Sequence, residues 1–225
     1  EKEILDGTGN SFEEIRQNMA ELNVINRLLG GHRISCEGFR AFARDRAVIT
    51  ICEIGCGGGD NLAFIHAWAQ KKGILVNCIG IDINSDCIAV AREQFPPAVY
   101  LVGDYRNVVL DVQPDVVFSA LFCHHFSDNE LLDQVQWMKL NSRLGFFIND
   151  LHRHPLAYYA IKYLTAIFSS SRLVRNDAPI SVQRGFIRSE WENIFRVAGF
   201  KRVQIQWKWA FRWLLIVVNK ENGDS

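Results

Sequence analysis

Between residues 11 and 30 the apolar positions Phe12, Ile15, Met19, Leu22, Ile25, Leu28 and Leu29 fall mostly three and four apart. That spacing predicts an amphipathic helix, with Ser11 as its cap and Gly30-Gly31 as its stop. From residue 47 the pattern changes, and short runs rich in Ile and Val alternate with stretches of helical periodicity. Strands are predicted over 47–52, 73–83, 98–102, 114–120 and 144–149, and helices over 60–72, 84–95 and 128–140. The strand runs are continuously apolar, as strands buried on both faces of a parallel sheet must be. Strands alternating with helices predict an α/β, doubly wound, mostly parallel sheet.

After Asp150 the rhythm breaks. Residues 155–168 read as an apolar helix whose one charge is Lys162, 172–188 as a basic loop, and 189–198 as a helix closed by Gly199. The final runs, 201–209 and 211–219, have a short link and predict an antiparallel hairpin. The chain thus divides into an N-terminal helical segment, 1–46, and a sheet domain, 47–220. A helical insertion, 151–188, lies between the fifth strand and the last helix.

A length of 225 residues with 48% hydrophobic content suits one domain with a sizeable core. The 25 basic and 25 acidic side chains cancel, so bulk charge gives no basis for binding nucleic acid. No apolar run reaches the ~20 residues that span a bilayer, and no signal-peptide pattern opens the chain. The six cysteines, Cys36, Cys52, Cys56, Cys78, Cys87 and Cys123, form no C-x-x-C pair. They read as buried, reduced thiols of a cytoplasmic protein.

The most informative stretch is Glu53-Ile-Gly-Cys-Gly-Gly-Gly-Asp60, which follows a predicted strand and opens a helix. Glycines there admit positive φ and close approach of a ligand, and the helix N-terminus adds free N–H donors. A tight turn alone would also explain them, but two acidic residues add to the pattern. Asp82 ends the second strand, 27 residues after Gly55, where a carboxylate suits a ribose diol. Asp104, in Gly103-Asp104-Tyr105, follows the third strand, where an adenine amine needs an acceptor. A dinucleotide and S-adenosylmethionine both fit this layout. The dinucleotide fingerprint G-x-G-x-x-G/A fails at Asp60, and Glu53 would repel a pyrophosphate. A cationic sulfonium and amine are attracted instead, which favours S-adenosylmethionine.

These motifs resemble those of class I S-adenosylmethionine-dependent methyltransferases, in the flavour of the ubiquinone- and menaquinone-pathway group. The stretch Asp115-Val-Val-Phe-Ser-Ala-Leu-Phe-Cys-His-His-Phe126 is similar to the family's fourth-strand motif, and Ala198-Gly199-Phe200 to the close of its last helix. The resemblance covers 47–150 and 187–219. It implies a seven-stranded sheet with the last strand antiparallel. It also implies donor contacts at Glu53, Gly55, Cys56, Gly57, Gly59, Asp82, Ile83, Asp104, Tyr105 and the backbone near Ala120. Residues 149–159 and 171–177 further resemble bacterial methyltransferases found near aromatic-polyketide and aryl-polyene pigment pathways, which implies secondary metabolism.

In a doubly wound sheet, ligands sit beyond the carboxyl ends of the strands. His124 and His125 follow the fourth strand, and His152 and His154 the fifth. A hydroxyl acceptor needs a proton acceptor, and His suits that role. His124 and His154 are therefore the catalytic candidates, against the plainer reading that they hydrogen-bond loops. His125, Asp150, His152, Tyr158 and Tyr159 are the expected acceptor contacts. Asp150 orients a histidine, accepts from the donor's amine, or serves as a helix cap. His32 closes over the donor or lies in an exposed loop. Adjacent His side chains diverge and no acidic ligand set accompanies them, so no metal is expected. The apolar helix is a cap over an aromatic acceptor, a buried or homodimer-packed element, or a membrane-surface helix. The expected activity is O-methylation of a small aromatic hydroxyl. The alternatives are C-methylation of a quinol-like ring and a non-catalytic donor-binding module.

Overall fold

The computed structural model describes residues 3–5, 7 and 9–219. Helices α1 (Phe12–Leu28) and α2 (Gly31–Arg40) precede the sheet. Then β1 (Val48–Ile54), α3 (Asp60–Gln70), β2 (Leu75–Asp82), α4 (Ser85–Gln94) and β3 (Val99–Val102) follow in strict alternation. After β4 (Val116–Ala120), a 3-10 turn at Cys123–His125 leads into α5 (Asp128–Leu140) and β5 (Gly145–Leu151). The insertion holds two helices, α6 (Pro155–Phe168) and α7 (Arg172–Arg184), before α8 (Arg188–Val197), β6 (Gln204–Lys208) and β7 (Arg212–Val218).

The seven strands form one sheet in the order β3-β2-β1-β4-β5-β7-β6. All pair in parallel except β7, which runs antiparallel to both β5 and β6. One face packs on α2, α3 and α4 through Ile34, Phe39, Leu62, Ile65 and Ile88. The other packs on α5 and α8 through Leu131, Val135, Met138, Trp191 and Ile194. Burial on both faces explains the continuously apolar strands. The six cysteines are free and buried. Among the described residues, no helix is long and apolar enough to cross a membrane.

Two helices depart from the sequence expectations. Gly30, at φ +78°, ends α1 as anticipated but also starts α2, which places His32 in a buried helical turn rather than an exposed loop. The stretch expected as a basic loop is α7. Ser171 Oγ caps it by accepting from Val174 N, and Leu173, Val174, Pro179 and Val182 are buried. Its internal Pro179 and its polar composition hide the helical period. The apolar helix α6 is covered on one side only. Ala157, Ile161 and Thr165 are buried, while Leu156, Tyr159, Tyr163, Ile167 and Phe168 are exposed.

Candidate functional site

A cavity of about 930 Å³ opens beyond the carboxyl ends of β1, β2 and β4, roofed by α1, α6 and α7. Glu53, Gly55, Cys56 and Gly57 line it from the first turn, and Asp82, Ile83, Asp104, Tyr105 and Ala120 from the strands beyond. Gly59 stands apart, because a Cβ there would meet the Tyr100 hydroxyl at 2.4 Å rather than the cavity. Gly55 has φ +66°, and a Cβ on it would lie 2.2 Å from the Phe122 ring, so only glycine admits this turn.

The carboxylate of Asp82 holds the turn as well as facing the cavity. Its Oδ2 accepts from Gly57 N at 2.9 Å and its Oδ1 from Asn84 N at 2.9 Å. Asp104 is placed differently from the expectation of a free acceptor. Both of its oxygens accept from the Arg106 guanidinium, at 2.9 and 2.5 Å. Tyr105 is buried against Phe122 and Trp137, and burial lifts its phenol to about 12.

Glu53 is the clearest sign that this half of the cavity awaits a ligand. Its Oε1 accepts from Asn61 Nδ2 at 3.1 Å, while Oε2 is buried without a partner. Burial, then Asp60, push its carboxyl well above the ordinary range. A cationic or hydroxyl-bearing ligand supplies what Oε2 lacks.

The other half of the cavity is built around His124, which is buried at the 3-10 turn. Its Nδ1 lies 2.8 Å from Asp150 Oδ1. Asp150 is fully buried and also accepts from Phe122 N at 3.1 Å, Cys123 N at 2.8 Å and Leu151 N at 2.7 Å. Across the cavity, His124 Nε2 lies 3.5 Å from Glu3 Oε1, and His125 Nε2 lies 3.8 Å from Glu3 Oε2. Burial opposes charge on His124, but Asp150 and then Glu3 outweigh it and raise its pKa to about 9. The same contacts hold Asp150 and Glu3 below the usual carboxylate range against their own burial.

The two adjacent imidazoles, expected to diverge, have ring centroids 4.5 Å apart and share Glu3. Glu3, His124 and His125 each bring a donor atom within 4.8 Å of the others, a spacing that could accept a cation. Within it His124 is an imidazolium between two carboxylates, Glu3 and Asp150.

His154 and His152 lie outside the cavity lining. His154 caps α6, its Nδ1 accepting from Leu156 N at 3.2 Å, and its ring stacks on Phe211. His152 accepts at Nδ1 from Trp207 Nε1 at 3.1 Å. Tyr158 and Tyr159 also lie off the lining, and α6 faces the cavity with Ala157, Ala160, Ile161 and Leu164 instead. His32 does not line the cavity; its Nε2 is 2.6 Å from Asp60 Oδ2, which clasps α2 to the start of α3.

Several participants escape the sequence reading. Glu3 reaches the histidines because Asp177, on α7, accepts from Ile4 N at 2.8 Å and Leu5 N at 3.0 Å. Ser181 Oγ donates to Glu3 Oε1 at 2.7 Å. Arg212 lines the cavity, is 3% exposed and donates from Nη2 to Asn26 Oδ1 at 2.8 Å. Burial lowers its pKa to about 10. Its one sequence signal is a charge opening an otherwise apolar strand, Arg212-Trp-Leu-Leu-Ile-Val-Val218.

Residues 51–139 match the family model for the methyltransferase domain. A trans-aconitate 2-methyltransferase of Afipia carboxidovorans is 32% identical over 74 residues, 32% of this chain and 27% of that protein. The mitochondrial ubiquinone biosynthesis O-methyltransferase of Saccharomyces cerevisiae is 26% identical over 136 residues, 58% of this chain and 41% of that one. The chain thus matches less than half the length of these curated relatives. Among solved structures, a plantazolicin methyltransferase in complex with SAH superimposes with a TM-score of 0.63 at 17% identity, covering 84% of this chain and 72% of that chain. A SAM-dependent methyltransferase from Aquifex aeolicus gives 0.62 at 16% identity, covering 90% and 97%. Residues 51–139 are thus similar to a methyltransferase domain, and the sheet that carries them shares its fold with these methyltransferase structures.

Proposed function

We propose that the protein binds S-adenosylmethionine in the Glu53–Asp82 half of the cavity and methylates a hydroxyl of an apolar, small-molecule acceptor held beneath α6. The carrying observation is the Asp150–His124 pair, a buried carboxylate fixing an imidazole whose other nitrogen faces the cavity. The donor supplies an electrophilic methyl group on a sulfonium sulfur. Glu53, Asp82 and the glycine turn hold it, and the acidic lining favours its positive charge. The match to a methyltransferase domain supports the same reading.

With Glu3 beside Nε2, His124 is an imidazolium at neutral pH and has no lone pair for a proton. Entry of an acceptor oxygen in place of the Glu3 carboxylate removes one of the two charges that sustain this state. The pKa of His124 then falls toward the range where a base works near neutral pH, and its Nε2 proton is released to solvent, which leaves the neutral imidazole. The acceptor O–H proton passes to Nε2, and Asp150 holds Nδ1–H and stabilises the imidazolium formed. The apolar wall of Leu22, Ile25, Ile161, Leu164 and Val182 excludes water and fits an aromatic or aliphatic acceptor body.

The test is turnover of labelled donor against phenols, hydroxy acids and quinols, with His124→Ala compared to wild type. Loss of a general base lowers kcat by ~10²–10⁴ while the donor Kd stays constant. Wild-type turnover in His124→Ala would reject the base. Products methylated on carbon would replace O-methylation with ring C-methylation.

A further inference from the structure

The charges lining the cavity are unevenly placed. Its acidic groups, Glu3, Glu53, Asp60, Asp82, Asp104 and Asp177, surround most of the space. Among the described residues that line it, the guanidinium groups are those of Arg106 and Arg212. Arg106 is exposed at the β3 end and is engaged by Asp104 through Nε and Nη2. Arg212 lies on the other flank, at the start of β7, and is buried.

The surroundings of Arg212 are shaped to admit the guanidinium without neutralising it. Gly31 opens α2 directly against it, and a Cβ on Gly31 would lie 3.1 Å from both Cζ and Nη2. Asn26 Oδ1, at 2.8 Å, orients it from the end of α1. Asp150 and Asp60 act on it through space. The oxygens of Asp150 are taken up by Phe122 N, Cys123 N, Leu151 N and His124, and Asp60 Oδ2 faces His32. A guanidinium carries five donors and a permanent charge. Buried without a bonded anion, it is costly to maintain, which marks a place that a ligand anion completes.

The position selects which anion. Gly31 adjoins His32, His32 clasps Asp60, and Asp60 directly follows the glycine turn. Met19 of α1 lies over the same turn, with its Sδ 3.3 Å from a Cβ position on Gly57. Arg212 thus lies on the β7 side of the turn, the flank opposite Asp82 and Asp104, within electrostatic reach of Asp60 at the turn's end. We infer that Arg212, oriented by Asn26, receives the α-carboxylate of the S-adenosyl donor. This rests on the donor reading above and assigns the amino-acid end of that ligand. Most of the cavity would set a carboxylate against like charges, and the other buried cation, His124, is already engaged by Asp150 and Glu3, whereas Arg212 has no bonded anion.

The experiment compares S-adenosylmethionine with decarboxylated S-adenosylmethionine, which keeps the adenosine, sulfonium and amine. Isothermal titration of wild type is expected to favour the carboxylate-bearing ligand by about ten- to a hundred-fold, the scale of one charge-assisted pair. In Arg212→Met this preference disappears, while the decarboxylated ligand binds as in wild type, which also reports an intact fold. A preference retained in Arg212→Met overturns the assignment. Unchanged donor binding with a raised KM for the acceptor would also overturn it, by giving the guanidinium to an acceptor carboxylate. Wild type that binds neither ligand removes the donor reading itself. Should Arg212→Met not fold, Asn26→Ala keeps the charge and loses its orientation, and is expected to narrow the preference several-fold. An unchanged ratio in that variant counts against the assignment.

Discussion

His124 sits between two carboxylates, and the sign of their effect can be read from stability as well as from turnover. Burial works against its charge, and Asp150 with Glu3 reverses that, so the folded pKa of about 9 exceeds the ordinary 6.5. A raised value means that protonation favours the folded state. That contribution is complete below about pH 6.5 and fades as the pH rises through about 9. The stability advantage of wild type over His124→Gln is therefore expected to shrink across pH 6.5–9, measured by urea unfolding at fixed ionic strength. A difference that stays flat over this window would mean that the cluster carries no net proton. Glu3→Gln removes one of the two raising charges, so the decline moves to lower pH. The rising limb of kcat/KM, along which His124 loses its proton and becomes a base, moves to lower pH in the same way, because that profile reports the free enzyme.

Helix α2 illustrates why elements differ in how openly the sequence announces them. Gly38 faces β5 so closely that a Cβ would come within 2.5 Å of the Phe147 ring. Helix propensity alone predicts that Gly38→Ala stabilises by up to about 1 kcal/mol. The contact predicts the opposite sign, a loss of about 1–3 kcal/mol from overpacking, read as a lower urea midpoint with unchanged slope. The alternating strands and helices of 48–151 were legible because each is marked by local apolar runs and breakers. So was the glycine turn, because strand, turn and helix are consecutive in the chain. Helix α2 was not, since its polar face and its glycines suppress the pattern, and neither was α7 with Pro179 in its middle. In the site, Gly55, Asp82 and the His124 turn follow strand ends and could be placed from the sequence. Glu3, Asp177, Asn26 and Arg212 meet across separations of 121 to 186 residues, and no local pattern encodes such pairings. His154 follows a strand end just as His124 does, yet it starts a helix, and a capping nitrogen looks no different in sequence from a catalytic one.

At the scale of the whole molecule, the six thiols act as reporters of how the sheet opens. They lie in different layers: Cys36 on α2, Cys52 on β1, Cys56 in the glycine turn, Cys78 on β2, Cys87 on α4 and Cys123 beneath the histidines. Burial raises every one of them, Cys36 to about 11 and Cys78 to about 12, and pushes the other four up as well. Because the thiolate is the reactive form, native protein at pH 8 is expected to react with an aromatic disulfide reagent only through opening of the fold. Six equivalents should react promptly in denaturant, and none in the first seconds under native conditions. A ligand that binds only the folded state raises the free energy of opening, so saturating S-adenosylhomocysteine should slow all six together if the domain opens as one unit. Selective slowing of Cys56, which borders the cavity, would instead reveal local breathing of the glycine turn. A prompt equivalent from Cys52 on β1 or from Cys123 in the histidine turn, both fully buried, would contradict the packing of the sheet and of the turn beyond it.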